Sequence, residues 1–189
     1  LMTTDVTMNG MSKRGMLLGA CLVLASGAMS TQLRAQEAAV APRYEQQVAE
    51  LAAKPAVKAA FEQLRAGEAR QRDELIELTE IPAPPFKEQA RARRFAEMLQ
   101  EAGLEDVRID EVGNVIGRRP GTGTGEHGNK RIAYAAHLDT VFPEGTDVTV
   151  REKDGRLYAP GIGDNTRGLV TVLAVLRALE DADIDTQAE

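Results

Sequence analysis

A chain of 189 residues, 43% apolar and 28% charged, has room for one domain with a sizeable core and not for two. Its formal net charge of −6 gives no electrostatic reason to expect a nucleic-acid partner or an anionic membrane surface. With Cys21 as the only cysteine, a disulfide framework and a thiolate zinc cluster are both excluded within one chain, so any metal site must draw on His, Asp and Glu.

Lys13 and Arg14 precede an apolar run from Met16 to Met29, which ends in the small residues Ala25, Ser26, Gly27 and Ala28. This is the pattern of a signal peptide, with cleavage expected after Ala28 or Ala35. The run is shorter than the ~20 residues of a bilayer-spanning helix, which argues against a lasting membrane anchor. Leu18-Gly19-Ala20-Cys21 has some look of a lipoprotein box, but few apolar residues would precede the cysteine and the rest would be stranded after it. Export to the periplasm or the medium as a soluble protein is therefore the favoured expectation. The chain starts at Leu1 and carries Met2, Met8 and Met11, so the residues before Met11 read as an overrun of the true start. Residues 1–35 are assigned to overrun and signal peptide, 36–43 to an Ala-rich linker, and 44–189 to a folded domain.

From Pro55, suited to a first helical turn, Val57, Phe61, Leu64, Leu75 and Leu78 fall near helical spacing and predict one long, partly exposed helix, loosened around Gly67. Three prolines between Ile81 and Phe86 cannot continue it. Ala92, Phe95, Leu99 and Ala102 mark a second helix stopped by Gly103, with Arg91, Arg93 and Arg94 assigned to its solvated face. Val107 and Ile109 alternate with charged residues, and Val115 and Ile116 follow a Gly-Asn turn, which predicts two short strands. After a Gly-rich turn over 121–130, the continuous apolar run Ile132–Ala136 predicts a strand covered on both faces. Val148 and Val150, then Leu157 and Tyr158, flank an Asp154-Gly155 hairpin turn. Leu169, Val172, Leu173, Leu176 and Leu179 form the apolar face of a third helix over 166–180. Strands interleaved with helices give an α/β layered domain.

Two motifs carry chemistry. Ala135-Ala136-His137-Leu138-Asp139-Thr140 puts an imidazole and a carboxylate two residues apart at a strand end, where a period of two aims both to one side. A metal-bound histidine needs its other ring nitrogen held, and a carboxylate there fixes the tautomer. Alone the pair is equally a partly buried histidine with an incidental neighbour. In Ala159-Pro160-Gly161-Ile162-Gly163-Asp164-Asn165, two glycines allow a tight backbone path and present Asp164 just before a helix, where a carboxylate can bridge two metals or simply cap the helix. Together the two motifs belong at the rim where open α/β sheets place their sites. His127 lies in the Gly-rich turn and is given a surface role.

The stretch His137-Leu138-Asp139-Thr140-Val141-Phe142, the hairpin, and Tyr158-Ala159-Pro160-Gly161-Ile162-Gly163-Asp164 resemble in order and spacing the di-zinc exopeptidases that include peptidase T, glutamate carboxypeptidase, aminoacylase and succinyl-diaminopimelate desuccinylase. The look is nearest to peptidase T-like members, and Ile81-Pro82-Ala83-Pro84 extends the resemblance to the N-terminal side, from about Glu45 onward. The resemblance implies the N-terminal part of a three-layer zinc-exopeptidase catalytic domain, a mixed sheet with flanking helices, without the lid and dimerisation domain. It implies that His137 ligates one of two zincs, that Asp164 bridges both, and that Asp139 orients His137, with Thr140 and Asn165 as near neighbours only. It also implies a cis peptide at Asp164-Asn165. One departure concerns the subfamily: Asn165, Thr166 and Arg167 stand where many members have an acidic residue followed by a lysine. The family's Glu-Glu pair, which supplies the general base and another ligand, is nowhere in the sequence, and the 25 residues after Asp164 end before the strand that should carry it. The expectation is therefore a truncated, inactive piece of an enzyme that cleaves peptide or N-acyl amino-acid bonds with a two-zinc-activated water, possessed of small-molecule substrates and homodimeric when intact. The alternatives are a non-peptide amidase and a secreted, non-catalytic scaffold or binding protein of the same ancestry.

Overall fold

In the computed structural model, which describes residues 42–124 and 130–189, proline and glycine punctuate a helical first half. Helices α1 (Pro42–Ala53), α2 (Pro55–Ala66) and α3 (Glu68–Glu80) follow one another with single-residue breaks at Lys54 and Gly67. Pro55 occupies the first turn of α2, where its missing N–H removes no hydrogen bond. The long helix expected from Pro55 is thus two helices, parted where Gly67 takes φ −82° and ψ 3°. Pro42 and Arg43, expected in the linker, begin α1, and Tyr44, Val48 and Leu51 recur along it at helical spacing although none of its residues is buried. The signal-peptide, lipoprotein and His127 assignments lie outside the described residues.

Residues 46–189 form one compact unit, and the packing that follows is that of this unit. α3 stops at Ile81, ahead of Pro82, as the restriction on a residue preceding proline requires. α4 (Gln89–Glu101) ends through Gly103, whose φ of +85° closes the last turn while Leu104 N–H donates to the Leu99 carbonyl. α5 (Arg167–Asp181) completes a helical core in which Leu75 and Leu78 of α3, Phe95, Met98 and Leu99 of α4, and Leu169, Leu173 and Leu176 of α5 are all buried. A part-buried ion pair between Glu74 and Arg177, 2.5 Å long, ties α3 to α5 within that core.

Two small antiparallel sheets stand beside the helices. β1 (Glu105–Ile109) pairs with β2 (Val115–Arg118) across a turn in which Asp110 accepts from the Val112 and Asn114 amides. β3 (Arg151–Lys153) pairs with β4 (Arg156–Tyr158) in a two-residue hairpin whose Asp154 and Gly155 both have positive φ, 51° and 69°, as the primed turns require. Both pairs fall at the turns the sequence marked, but the second begins at Arg151, so that Val148 and Val150, expected in its first strand, lie outside it. The run Ile132–Ala136 does not match the sequence expectation: it forms no strand, and Ile132 and Tyr134 are 62% and 61% exposed rather than covered on both faces. A doubly covered strand needs paired neighbours on its edges, and none of the described strands pairs with this segment. Its backbone is held instead at its start, where Ile132 N–H donates to the Glu189 carbonyl. The result is a mixed α/β arrangement. No described helix is long and apolar enough to cross a membrane.

Candidate metal site

Segment 137–140 is fixed from two sides. Thr140, 3% exposed, donates its N–H to the Ala83 carbonyl at 2.8 Å, which fastens the segment to the proline-rich connection between α3 and α4. Arg91 donates from Nη1 to the Leu138 carbonyl at 2.9 Å. This guanidinium is 1% exposed, which corrects its assignment to the solvated face of α4. The spacing 91, 95, 98, 99, 102 continues the apolar face of α4 back to Arg91, a signal hidden by the neighbouring Arg93 and Arg94.

The second motif approaches the first through a glycine. Gly161 has φ +79°, and a Cβ there would stand 2.5 Å from Thr140 Cγ2, so only glycine gives this turn both its backbone conformation and its contact with Thr140. Residues Ile162–Thr166 then form a π-type turn interrupted at Asp164 (φ −130°, ψ 92°) and Asn165 (φ −132°, ψ 27°). The Asp164–Asn165 peptide is cis, as the resemblance implied. Thr166, not Asp164, is the residue before α5, and its side chain makes no cap bond. A Cβ at Gly168 would meet Asn165 Oδ1 at 2.1 Å, so glycine in the first turn of α5 makes room for the Asn165 side chain.

These two anchorages bring together side chains 27 residues apart: His137 Nε2 lies 2.9 Å from Asp164 Oδ1. Nδ1 of the same ring lies 2.9 Å from Asp139 Oδ1 and 3.0 Å from the Asp139 carbonyl. The imidazole is therefore flanked by a carboxylate at each nitrogen. The Asp164 hydrogen bond, and after it Asp139, hold His137 above its ordinary pKa, against the opposing pull of burial. A protonated ring would donate to both carboxylates. When Nε2 gives up its proton, its lone pair faces the Asp164 carboxylate while Nδ1–H stays on Asp139, a donor arrangement of the kind zinc takes from imidazole and carboxylate ligands. Asp164 is 84% exposed, and so its second oxygen is open to solvent.

The donor set is short. Among the described residues, no group of three or more His, Cys, Asp or Glu side chains could hold a metal ion, because Asp139 is turned to the imidazole and only His137 and Asp164 are left as donors. Zinc takes about four. Beside His137 and Asp139 runs an open cleft of about 1000 Å³ walled by Phe95, Leu104, Tyr134 and Leu176. These walls are inward faces of the helices and of the 132–136 run, so the cleft is the uncovered side of the core.

Residues 133–189, which contain both motifs, match the model of peptidase family M20/M25/M40. Over 67 residues the chain is 43% identical to a Pyrococcus abyssi (strain GE5 / Orsay) protein described as a LysW-lysine/LysW-ornithine hydrolase. That stretch is 35% of this chain and spans 18% of the relative's length.

Proposed function

We propose, from the match of residues 133–189 to the model of peptidase family M20/M25/M40, that this chain carries two zinc-site residues of an exported amidohydrolase acting on peptide or N-acyl amino-acid bonds. The observation that supports it most is the 2.9 Å approach of His137 Nε2 to Asp164 Oδ1 from two separate motifs, with Asp139 on the other ring nitrogen. In this reading His137 ligates one zinc through Nε2, and Asp139 holds the Nδ1 proton so that the Nε2 lone pair stays available. Asp164, with two oxygens on one exposed carboxylate, would be shared with a second zinc. Zinc held there supplies a Lewis acid toward an amide carbonyl and raises the acidity of water.

Two donors do not close a zinc site, and the match spans 18% of the relative. In this reading further ligands and a general-base Glu would complete the site in the whole enzyme. The apolar run after Lys13 and Arg14 supports export.

The test is made on the full-length gene product, with dipeptides and N-acyl amino acids as substrates. Hydrolysis that is abolished by a chelator, restored by zinc, and lowered more than about 100-fold by His137→Ala and by Asp164→Ala is the expected result. Hydrolysis that survives both substitutions would contradict the ligand assignment. A full-length product that binds no zinc and hydrolyses nothing would favour the non-catalytic scaffold.

A further inference from the structure

We infer that Arg91 is a positioning residue for the His137–Asp139 pair, acting through the peptide that joins them. Its guanidinium makes four hydrogen bonds to backbone carbonyls and none to a carboxylate: Nε and Nη2 to Ile81 O at 3.2 and 2.7 Å, Nη2 to Thr79 O at 3.4 Å, and Nη1 to Leu138 O at 2.9 Å. Thr79 and Ile81 end α3, where carbonyls have no helical partner and a cation is favoured. Leu138 stands between the two site residues. One side chain on α4 thus fastens the end of α3 to the central peptide of the motif.

The chemistry of the residue suits this task. Burial of a cation is costly unless its donors are used, and here the fork reaches three carbonyls in different directions, which a lysine ammonium on its flexible stem does not reproduce. Fixing the Leu138 carbonyl fixes the plane of the Leu138–Asp139 peptide, from which Asp139 leaves the backbone directly and His137 one residue earlier. Thr140 N–H on the Ala83 carbonyl holds the next peptide. The segment has no strand ladder to hold it, so these two attachments set where the imidazole points. The Asp139 charge favours the Arg91 cation against its burial.

The inference rests on the proposed role of His137, and the experiment separates the two. The chain is labelled with ¹⁵N-histidine. His137 and His127 are its only histidines, and a His127→Gln background leaves one ring to observe. The ring nitrogen shifts at fixed pH are recorded for the 189-residue chain, and the zinc dissociation constant for the full-length gene product, in the parent, Arg91→Met, Arg91→Lys and Arg177→Met forms. Arg177→Met breaks the Glu74 ion pair in the same core and serves as the structural control. The expected result is that both Arg91 variants move the Nδ1 signal away from the Asp139-bonded value and weaken zinc about 10-fold, while Arg177→Met lowers stability and leaves the ring signals in place. If Arg91→Met does not fold, Arg91→Lys, which keeps the charge, decides the matter alone. Ring shifts unchanged in a folded Arg91 variant, or moved equally by Arg177→Met, would overturn the positioning role. Zinc binding unaffected by His137→Ala would instead overturn the ligand role of His137, with the Arg91 ring-shift comparison still standing.

Discussion

The helical core and segment 132–140 solve the same problem in different ways. α3, α4 and α5 order one another by burying apolar side chains: Leu78, Met98 and Leu173 are each 0% exposed. The segment that carries His137 buries little of its own. Ile132 and Tyr134 are largely exposed along the open cleft, Ala136 and Leu138 pack partly against the core, and hydrogen bonds at Leu138 and Thr140 tie the segment to groups that the helical core holds. The core supplies stability and the segment supplies donors, joined by backbone hydrogen bonds and by the partial packing of Ala136 and Leu138.

That contrast is broken most directly by matched truncations. Leu78→Ala, in the sealed core, should cost about 3 kcal/mol, whereas Ile132→Ser should stay within about 0.5 kcal/mol, both read from urea unfolding midpoints. Comparable losses at the two positions would mean that the run is ordered by packing after all.

Gly161→Ala sharpens the account at the junction. Positive φ alone costs an L-residue about 1–2 kcal/mol, and the added methyl would also meet Thr140 Cγ2 at 2.5 Å. The variant should lose roughly that stability, and it should also separate Asp164 from His137, read as a return of the His137 titration toward an ordinary imidazole. A Gly161→Ala chain with an unmoved titration would show that the turn does not depend on this contact.

The smallest effect is the pH dependence of the metal-free chain. His137 is raised in the folded state by Asp164 first and Asp139 second. A raised folded pKa means that the folded chain holds the proton more tightly than the unfolded one. The stabilisation is therefore complete below the unfolded value of about 6.5 and is lost as pH rises through the higher folded value. Urea midpoints should fall across that window in the parent chain and stay flat there in His137→Gln. Half-exposure of the ring keeps the effect small.

Local punctuation was legible in the sequence: Gly103 ending α4 and Asp154-Gly155 turning the hairpin need only their own backbone preferences. His137, Asp139 and Asp164 were singled out by two motifs and a family resemblance, and the structure brings the three within hydrogen-bond distance. What depends on distant neighbours was not legible. The run Ile132–Ala136 has the composition of a buried strand, but a strand exists only where another backbone pairs with it. Arg91 looked like one of three surface arginines, because nothing local says that Ile81 and Leu138 will offer it their carbonyls.

The most direct measurement is anomalous diffraction at the zinc edge from crystals of the full-length gene product grown with zinc. A peak within ~2.0–2.2 Å of both His137 Nε2 and an Asp164 carboxylate oxygen, with Asp139 still on Nδ1, is the predicted result. A zinc peak that neither residue touches would contradict the account.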